Sequence, residues 1–164
     1  MENWEAIYFL LFGLVCVYFL NKSFKGLNFK AIKRLTEVGD DTINQIVKES
    51  LNYLSNKYGV KVPNFKVGGI DGKTFDVSGG IRPGAIYSHD LKLIIVDLEY
   101  QKSLDYDVHD IVLDTCHEFC HYYDDVSKNM NRDNTLVEIL EDRAEEFQKK
   151  HVSEVLDQVK HLIK

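Results

Sequence analysis

Residues 112–124 read VLDTCHEFCHYYD, and this stretch is the most informative part of the 164-residue chain. Apolar residues recur through and before it at three- and four-residue spacing, which predicts an amphipathic helix over residues 104–124. His117 and His121 are four residues apart and therefore share one face of that helix. Their imidazoles can bind one zinc ion, and Glu118 beside them can take a proton from an attacking water. Two solvent-facing histidines on an ordinary amphipathic helix are the alternative.

A hydrolytic zinc site needs a third protein ligand and one open position. One known solution extends the motif as H-E-x-x-H-x-x-G-x-x-H. This chain has Asp124 at the Gly position and Ser127 at the last His position, so that solution fails. A carboxylate on a following helix is the remaining source of the third ligand. The downstream candidates are Glu138, Glu141, Glu145 and Glu146.

The motif together with these glutamates resembles the gluzincins, the thermolysin-like zinc peptidases, and most of all their short forms, the minigluzincins. In that family the third ligand is a Glu about twenty positions after the second His, and Glu141 is the twentieth residue after His121. Glu141-Asp-Arg-Ala-Glu145 also resembles the family's glutamate helix, E-x-x-x-[D/E]. The resemblance implies that Glu145 holds the imidazole of His117 from behind. It also implies that Zn²⁺ is bound by His117, His121 and Glu141.

The remainder of residues 35–164 has the sequence pattern of an α+β domain. A helical pattern runs from about Thr42 to Tyr58, where Gly59 ends it. A long helix from about Asn134 carries the four glutamates. The gluzincin resemblance implies a small sheet, an active-site helix and a glutamate helix, so the expected fold is a small, mostly antiparallel sheet packed on these two helices. Predicted strands are Asn64–Val67, Thr74–Val77, Ala85–Ser88 and Lys92–Asp97, the last two forming a hairpin. The gluzincin resemblance implies that Lys92–Asp97 is the sheet edge to which an extended peptide pairs.

Residues 1–34 differ in character from this domain. Ala6–Leu20 carries no charge, and residues 4–20 reach the lower length limit of a transmembrane helix if Glu5 is tolerated. Basic residues follow this segment, so the positive-inside rule predicts a single-pass membrane protein with a cytoplasmic C-terminal domain. An acidic start and the lack of a small-residue cleavage site argue against a secretory signal peptide. A buried core helix is the other alternative. We therefore expect a membrane anchor and basic juxtamembrane segment over residues 1–34, and a metallopeptidase domain over residues 35–164.

Charge and cysteine content narrow the functional class. The net charge is -6 and the isoelectric point is about 5.5, which argues against nucleic-acid binding through bulk electrostatics. The three cysteines are Cys16, Cys116 and Cys120, an odd number that does not form a disulfide framework. Cys116 and Cys120 are interpreted as buried free thiols. They are poor candidates for a four-ligand structural zinc site, because neighbouring helix turns spread such ligands too widely for one tetrahedral ion.

These patterns predict a membrane-anchored zinc metallopeptidase, an endopeptidase acting on a peptide or protein substrate. A zinc-binding, non-catalytic domain of the same fold, tethered to the membrane, is the alternative. The presence of Glu118 favours catalysis, because a purely structural zinc site has no use for a general base. Substrate-binding residues are not identified by the sequence. The residue that stabilises the oxyanion is left open among Tyr122, Tyr123, His89, His109 and Arg82.

Overall fold

Helices and a three-stranded sheet make up the part of the chain that this computed structural model describes, residues 33–69, 83–127 and 136–163. The elements in chain order are α1 (Asp40–Tyr58), β1 (Asn64–Gly68), β2 (Ala85–Ser88), β3 (Leu93–Asp97), α2 (Leu98–Ser103), α3 (Val108–Ser127) and α4 (Val137–Val159). Short 3-10 turns lie at Leu35–Glu37 and Lys160–Leu162. The predicted strand Thr74–Val77 lies outside the described residues and stays a prediction. The predicted boundary between a membrane anchor, residues 1–34, and a folded domain, residues 35–164, also stays a prediction.

The helix ends follow local chemistry. Helix α1 ends where Gly59 takes a left-handed conformation, with φ of 66°, as the sequence predicts. Helix α3 begins at Val108 and not at Leu104, because residues 98–103 form the separate helix α2. The carboxylate of Asp107 then caps α3 by accepting hydrogen bonds from two backbone N–H groups of its first turn.

The sheet is mixed, and the prediction of a mostly antiparallel sheet is wrong. Strand β3 lies between the other two, parallel to β1 and antiparallel to β2. The predicted hairpin of β2 and β3 is confirmed, but the sheet-edge position predicted for Lys92–Asp97 is wrong. Its apolar run Ile94–Val96 is buried, as is typical of a central strand. The long connection between Gly68 and Ala85 allows β3 to insert beside β1, a neighbour that local patterns do not specify.

The membrane predictions are corrected by the described helices. The proposed transmembrane segment over residues 4–20 lies outside the described residues. Within the described ranges, no helix is both long enough and apolar enough to cross a membrane. Helices α1, α3 and α4 have 19 to 23 residues, but each carries charged side chains on its outer face. The transmembrane helix and the single-pass localisation with a cytoplasmic C-terminal domain are therefore not supported by the structure.

Helix α3 is central to the packing of the described residues. It packs against α1, α4, β2 and β3, and Phe119 on its inner face is fully buried. The ring of Phe119 lies near those of Tyr58 and Phe147, with centroids 6.2 and 6.0 Å away, so one aromatic cluster joins α3 to both neighbouring helices. Cys116 and Cys120 are free and buried, as predicted, and burial raises the pKa of each thiol to about 12. Both thiols are therefore protonated at neutral pH.

His151 connects α4 to the end of α1 inside the core. Its side chain is 1% exposed, and its Nε2 lies 2.6 Å from the hydroxyl oxygen of Tyr58. Its Nδ1 lies 3.3 Å from a carboxylate oxygen of Glu154. Burial lowers the pKa of His151 below its ordinary value of 6.5, and the neighbouring charge of Lys57 lowers it further, while the hydrogen bond to Glu154 raises it. The folded state therefore favours the neutral imidazole.

We expect the free energy of unfolding to fall as the pH drops below about 6.5, with His151 as one cause. The unfolded chain binds a proton at its ordinary pKa, whereas the folded chain resists protonation until the pH falls further. In His151→Gln the fall in stability between pH 7 and pH 5, measured by urea unfolding, should be smaller than in wild type. His161→Gln changes an exposed histidine and should keep the wild-type dependence. An unchanged pH dependence in His151→Gln would contradict this role.

Candidate metal centre

Three side chains from two helices converge on one point. His117 and His121 lie on α3, and Glu141 lies on α4. The Nε2 atom of His117 is 3.1 Å from Oε2 of Glu141 and 3.1 Å from Nε2 of His121. The Nε2 atom of His121 is 3.5 Å from Oε1 of Glu141. The structure therefore brings together the two histidines of the motif and one of the four candidate glutamates.

The distances between these ligand atoms are close to those around a tetrahedral zinc ion. Zinc binds nitrogen and oxygen at about 2.0–2.2 Å, so the edge of a regular tetrahedron around it is about 3.3–3.6 Å. The two imidazole nitrogens are 3.1 Å apart, and each has one of the two Glu141 oxygens within 3.1 or 3.5 Å. Two imidazole nitrogens and one carboxylate also form a donor set that suits zinc better than calcium or magnesium, which prefer all-oxygen ligands. The residues present therefore fit Zn²⁺ in chemistry, and their ligand atoms converge to within about 0.2 Å of the separations that zinc requires.

Packing between α3 and α4 sets the position of Glu141. Ala144 follows Glu141 by three residues and is fully buried, so its small side chain allows the two helices to approach closely. Nearby, Nε of Arg143 lies 2.7 Å from a carboxylate oxygen of Asp124, whose side chain is only 7% exposed. This ion pair joins α4 to α3 next to the metal centre. Glu141, the candidate third ligand, is thus held at a helix interface.

Gln148 is the partner that the structure brings to the outer nitrogen of His117. Its Oε1 lies 3.1 Å from Nδ1 of His117. An amide oxygen accepts a hydrogen bond from Nδ1–H, and this leaves the lone pair of Nε2 directed at the metal position. Glu145, to which the resemblance gives this role, instead forms an exposed ion pair with Lys149 at 2.9 Å. The sequence signal for Gln148 is only its spacing, seven residues after Glu141 on the same helix face.

We expect Gln148→Leu to weaken zinc binding by about 10- to 100-fold, because the imidazole of His117 loses the hydrogen bond that orients it. Competition with a chromophoric chelator measures the affinity. Glu145→Gln, a change one helical turn away on the same helix, is the matched control and should bind zinc as wild type does. Weaker zinc binding in Glu145→Gln together with wild-type binding in Gln148→Leu would indicate that Glu145, and not Gln148, orients the imidazole of His117.

Glu118 lies between α3 and β2, beside the ligands. Its side chain is 8% exposed, and its carboxylate accepts a hydrogen bond from the backbone N–H of Tyr87. Burial raises the pKa of Glu118 to about 8, and the nearby charges of Asp114 and Glu141 contribute in the same direction. A divalent cation at the three ligands opposes this rise, because it favours the ionised carboxylate. A metal ion bound at the three candidate ligands would therefore lower the proton affinity of Glu118.

The remaining predicted residues lie elsewhere or have other partners. Glu138 and Glu146 are exposed on α4. The hydroxyl of Tyr122 donates to the carbonyl of Lys61 at 2.6 Å, and the ring of Tyr123 packs 4.8 Å from that of Tyr58. The others contact acids or lie outside the described ranges: His89 is 3.3 Å from Asp125, His109 is 3.9 Å from Asp110, and Arg82 is not among the described residues.

A second group of possible ligands lies at the start of α3. Oxygen or nitrogen atoms of Asp107, His109 and Asp110 are close enough together to share a cation. The carboxylates are already engaged, because Asp107 accepts from the backbone N–H of His109 at 2.7 Å and Asp110 accepts from that of Asp107 at 2.9 Å. This reciprocal arrangement caps the helix. The group is therefore explained by local structure.

Comparisons of the chain with protein-family models, with curated proteins and with solved structures give no match. The resemblance to the gluzincins therefore rests on residues 117–121, on Glu141 and its neighbours, and on the geometry of the metal centre.

Proposed function

We propose that this chain is a zinc-dependent metallopeptidase of the gluzincin type, an endopeptidase that hydrolyses peptide bonds in peptide or protein substrates. One observation supports the proposal most. His117 and His121 from α3 meet Glu141 from α4, with ligand atoms 3.1–3.5 Å apart, close to the separations around a tetrahedral zinc ion. The buried carboxylate of Glu118 lies beside them. Zn²⁺ is the proposed cofactor, and these three residues are its proposed ligands.

The proposed mechanism assigns proton transfer to Glu118. Zinc, when bound, lowers the pKa of a water molecule toward about 7 and polarises the scissile carbonyl. Glu118 takes the proton from the attacking water and later donates it to the leaving amine. The hydrogen bond from the backbone of Tyr87 fixes the carboxylate between α3 and β2. Burial favours the protonated form of Glu118 after the first transfer, which is the form that the second transfer requires.

The proposal is tested with the full-length chain loaded with zinc and incubated with a broad peptide library. Mass spectrometry of new termini should reveal cleavage that stops when a chelator removes zinc and resumes when zinc is restored. One zinc ion per chain without any cleavage would favour a non-catalytic zinc-binding domain. Absence of stoichiometric zinc binding would contradict both functions.

A further inference from the structure

Asp114 places an additional carboxylate beside the metal centre. It lies on α3 three residues before His117, and its charge contributes to raising the pKa of Glu118. The side chain is half-buried, and burial raises the pKa of this carboxyl to about 6. Within the described ranges, Asp114 forms no ion pair with a lysine or arginine. The side-chain donor that reaches it there is the amide of Gln101, with Nε2 2.7 Å from Oδ2.

Gln101, on α2, is fully buried and aims its side-chain amide at Asp114. Its Nε2 donates both to Asp114 and to the carbonyl of Gly84, the latter at 3.0 Å. Its Oε1 is buried and has no hydrogen-bond partner among the described residues. Leaving such an acceptor without a donor costs about 1–3 kcal/mol. Gln101 is thus a buried residue that fixes the Asp114 carboxylate, and among the described residues no cationic side chain reaches either of them.

Glycine at position 84 makes room for this pair. A Cβ atom there would lie 2.6 Å from Oδ2 of Asp114, closer than Cβ atoms normally approach, and 3.0 Å from Nε2 of Gln101, a tight contact. The carboxylate can therefore lie directly against the backbone at the start of β2, the strand that packs on α3 near Glu118. Asp114 lies three residues before His117 on α3, about 4.5 Å along the helix axis. In an extended peptide, a residue one or two positions from the scissile bond can place its side chain at that distance from the metal ligands.

We propose that Asp114, held in place by Gln101, forms the floor of a substrate subsite that receives a basic side chain, arginine above all, next to the scissile bond. The inference rests on the proposed peptidase function. A guanidinium group is planar and carries several donors, so it can form two parallel hydrogen bonds with a carboxylate. Its charge also matches a half-buried carboxylate that has no lysine or arginine partner among the described residues.

The test compares matched peptides that carry arginine, its neutral isostere citrulline, or leucine at each position around the cleaved bond. With the zinc-loaded wild-type chain, kcat/KM for the arginine peptide should exceed that for the citrulline peptide by about 10- to 100-fold at one position. In Asp114→Asn, which keeps the size of the side chain and an acceptor for Gln101, this ratio should fall to about 1–2. Asp110→Asn removes a carboxylate one turn further from the metal centre, and the ratio should remain as in wild type. A purely structural role for Asp114 would change both peptides alike.

Equal cleavage of the arginine and citrulline peptides by wild type would overturn the subsite, as would an unchanged ratio in Asp114→Asn. If the Arg82→Gln variant preferred the arginine peptide over the citrulline peptide and wild type did not, Arg82 of the chain itself would occupy the subsite. That result too would overturn the proposal. If no peptide were cleaved, the peptidase function would fail. Calorimetry with the zinc-loaded Glu118→Gln chain then still tests the subsite, because the arginine peptide should bind at least 10-fold more tightly than the citrulline peptide. Equal affinities would reject it.

Discussion

Replacing Glu118 by glutamine is expected to lower kcat for peptide cleavage by about 10²- to 10⁴-fold while one zinc ion stays bound per chain. Glutamine has nearly the same size, and its amide oxygen can still accept the hydrogen bond from the backbone of Tyr87. It cannot take a proton from water or return one to the leaving amine. The loss should therefore appear in kcat more than in zinc content or in the melting temperature.

The matched control for this variant is Glu138→Gln, since Glu138 is an exposed glutamate on α4. It should leave both cleavage and zinc content unchanged. Retention of activity by Glu118→Gln within about threefold would remove Glu118 from the mechanism. Loss of zinc together with activity would indicate that Glu118 supports the metal centre structurally, which would favour the non-catalytic alternative.

Zinc is expected to stabilise the folded chain, and Glu141 should be required for most of this effect. A ligand at 100 times its dissociation constant adds about 2.7 kcal/mol to the free energy of unfolding when it binds the folded state alone. For a domain of this size, we expect a rise in melting temperature of about 10 °C. Glu141→Gln removes the anionic ligand that lies 3.1 and 3.5 Å from the two imidazoles, so its melting temperature should respond much less to zinc.

Differential scanning fluorimetry with and without zinc measures this response, and calorimetric titration gives the stoichiometry. Glu138→Gln again serves as the control, because it removes the same charge from the same helix one turn earlier. An equal zinc-induced shift in Glu141→Gln and wild type would exclude Glu141 as a ligand. A wild-type chain whose melting temperature does not respond to zinc would exclude the metal centre.

Features that depend on neighbours in the sequence were predictable. The end of α1 follows from Gly59, the hairpin of β2 and β3 from alternating strands around a short turn, and the pair of histidines from their four-residue spacing. Each requires only the geometry of one local element. The placement of Glu141 was available only through family resemblance, because spacing alone did not separate it from three other glutamates.

Features that depend on distant parts of the chain were not predictable in the same way. The insertion of β3 beside β1 joins segments about 30 residues apart, and nothing local to either strand specifies it. Gln148 reaches His117 across a helix interface, while Glu145 of the same helix turns to Lys149. The contact between Asp114 and Gln101 depends on the close approach of Gly84, which the sequence records only as one glycine among ten.

The close packing of α3 and α4 also determines how strongly Glu141 can act as a ligand. One helix, α3, fixes His117 and His121 relative to each other. The effective concentration of the Glu141 carboxylate near these two imidazoles therefore depends on how α4 docks against α3. The entropy of closing a connection between two elements changes only slowly with the length of that connection. The twenty-residue spacing from His121 to Glu141 is therefore a consequence of two helices meeting, and insertions into the connection should be tolerated more readily than changes at Ala144.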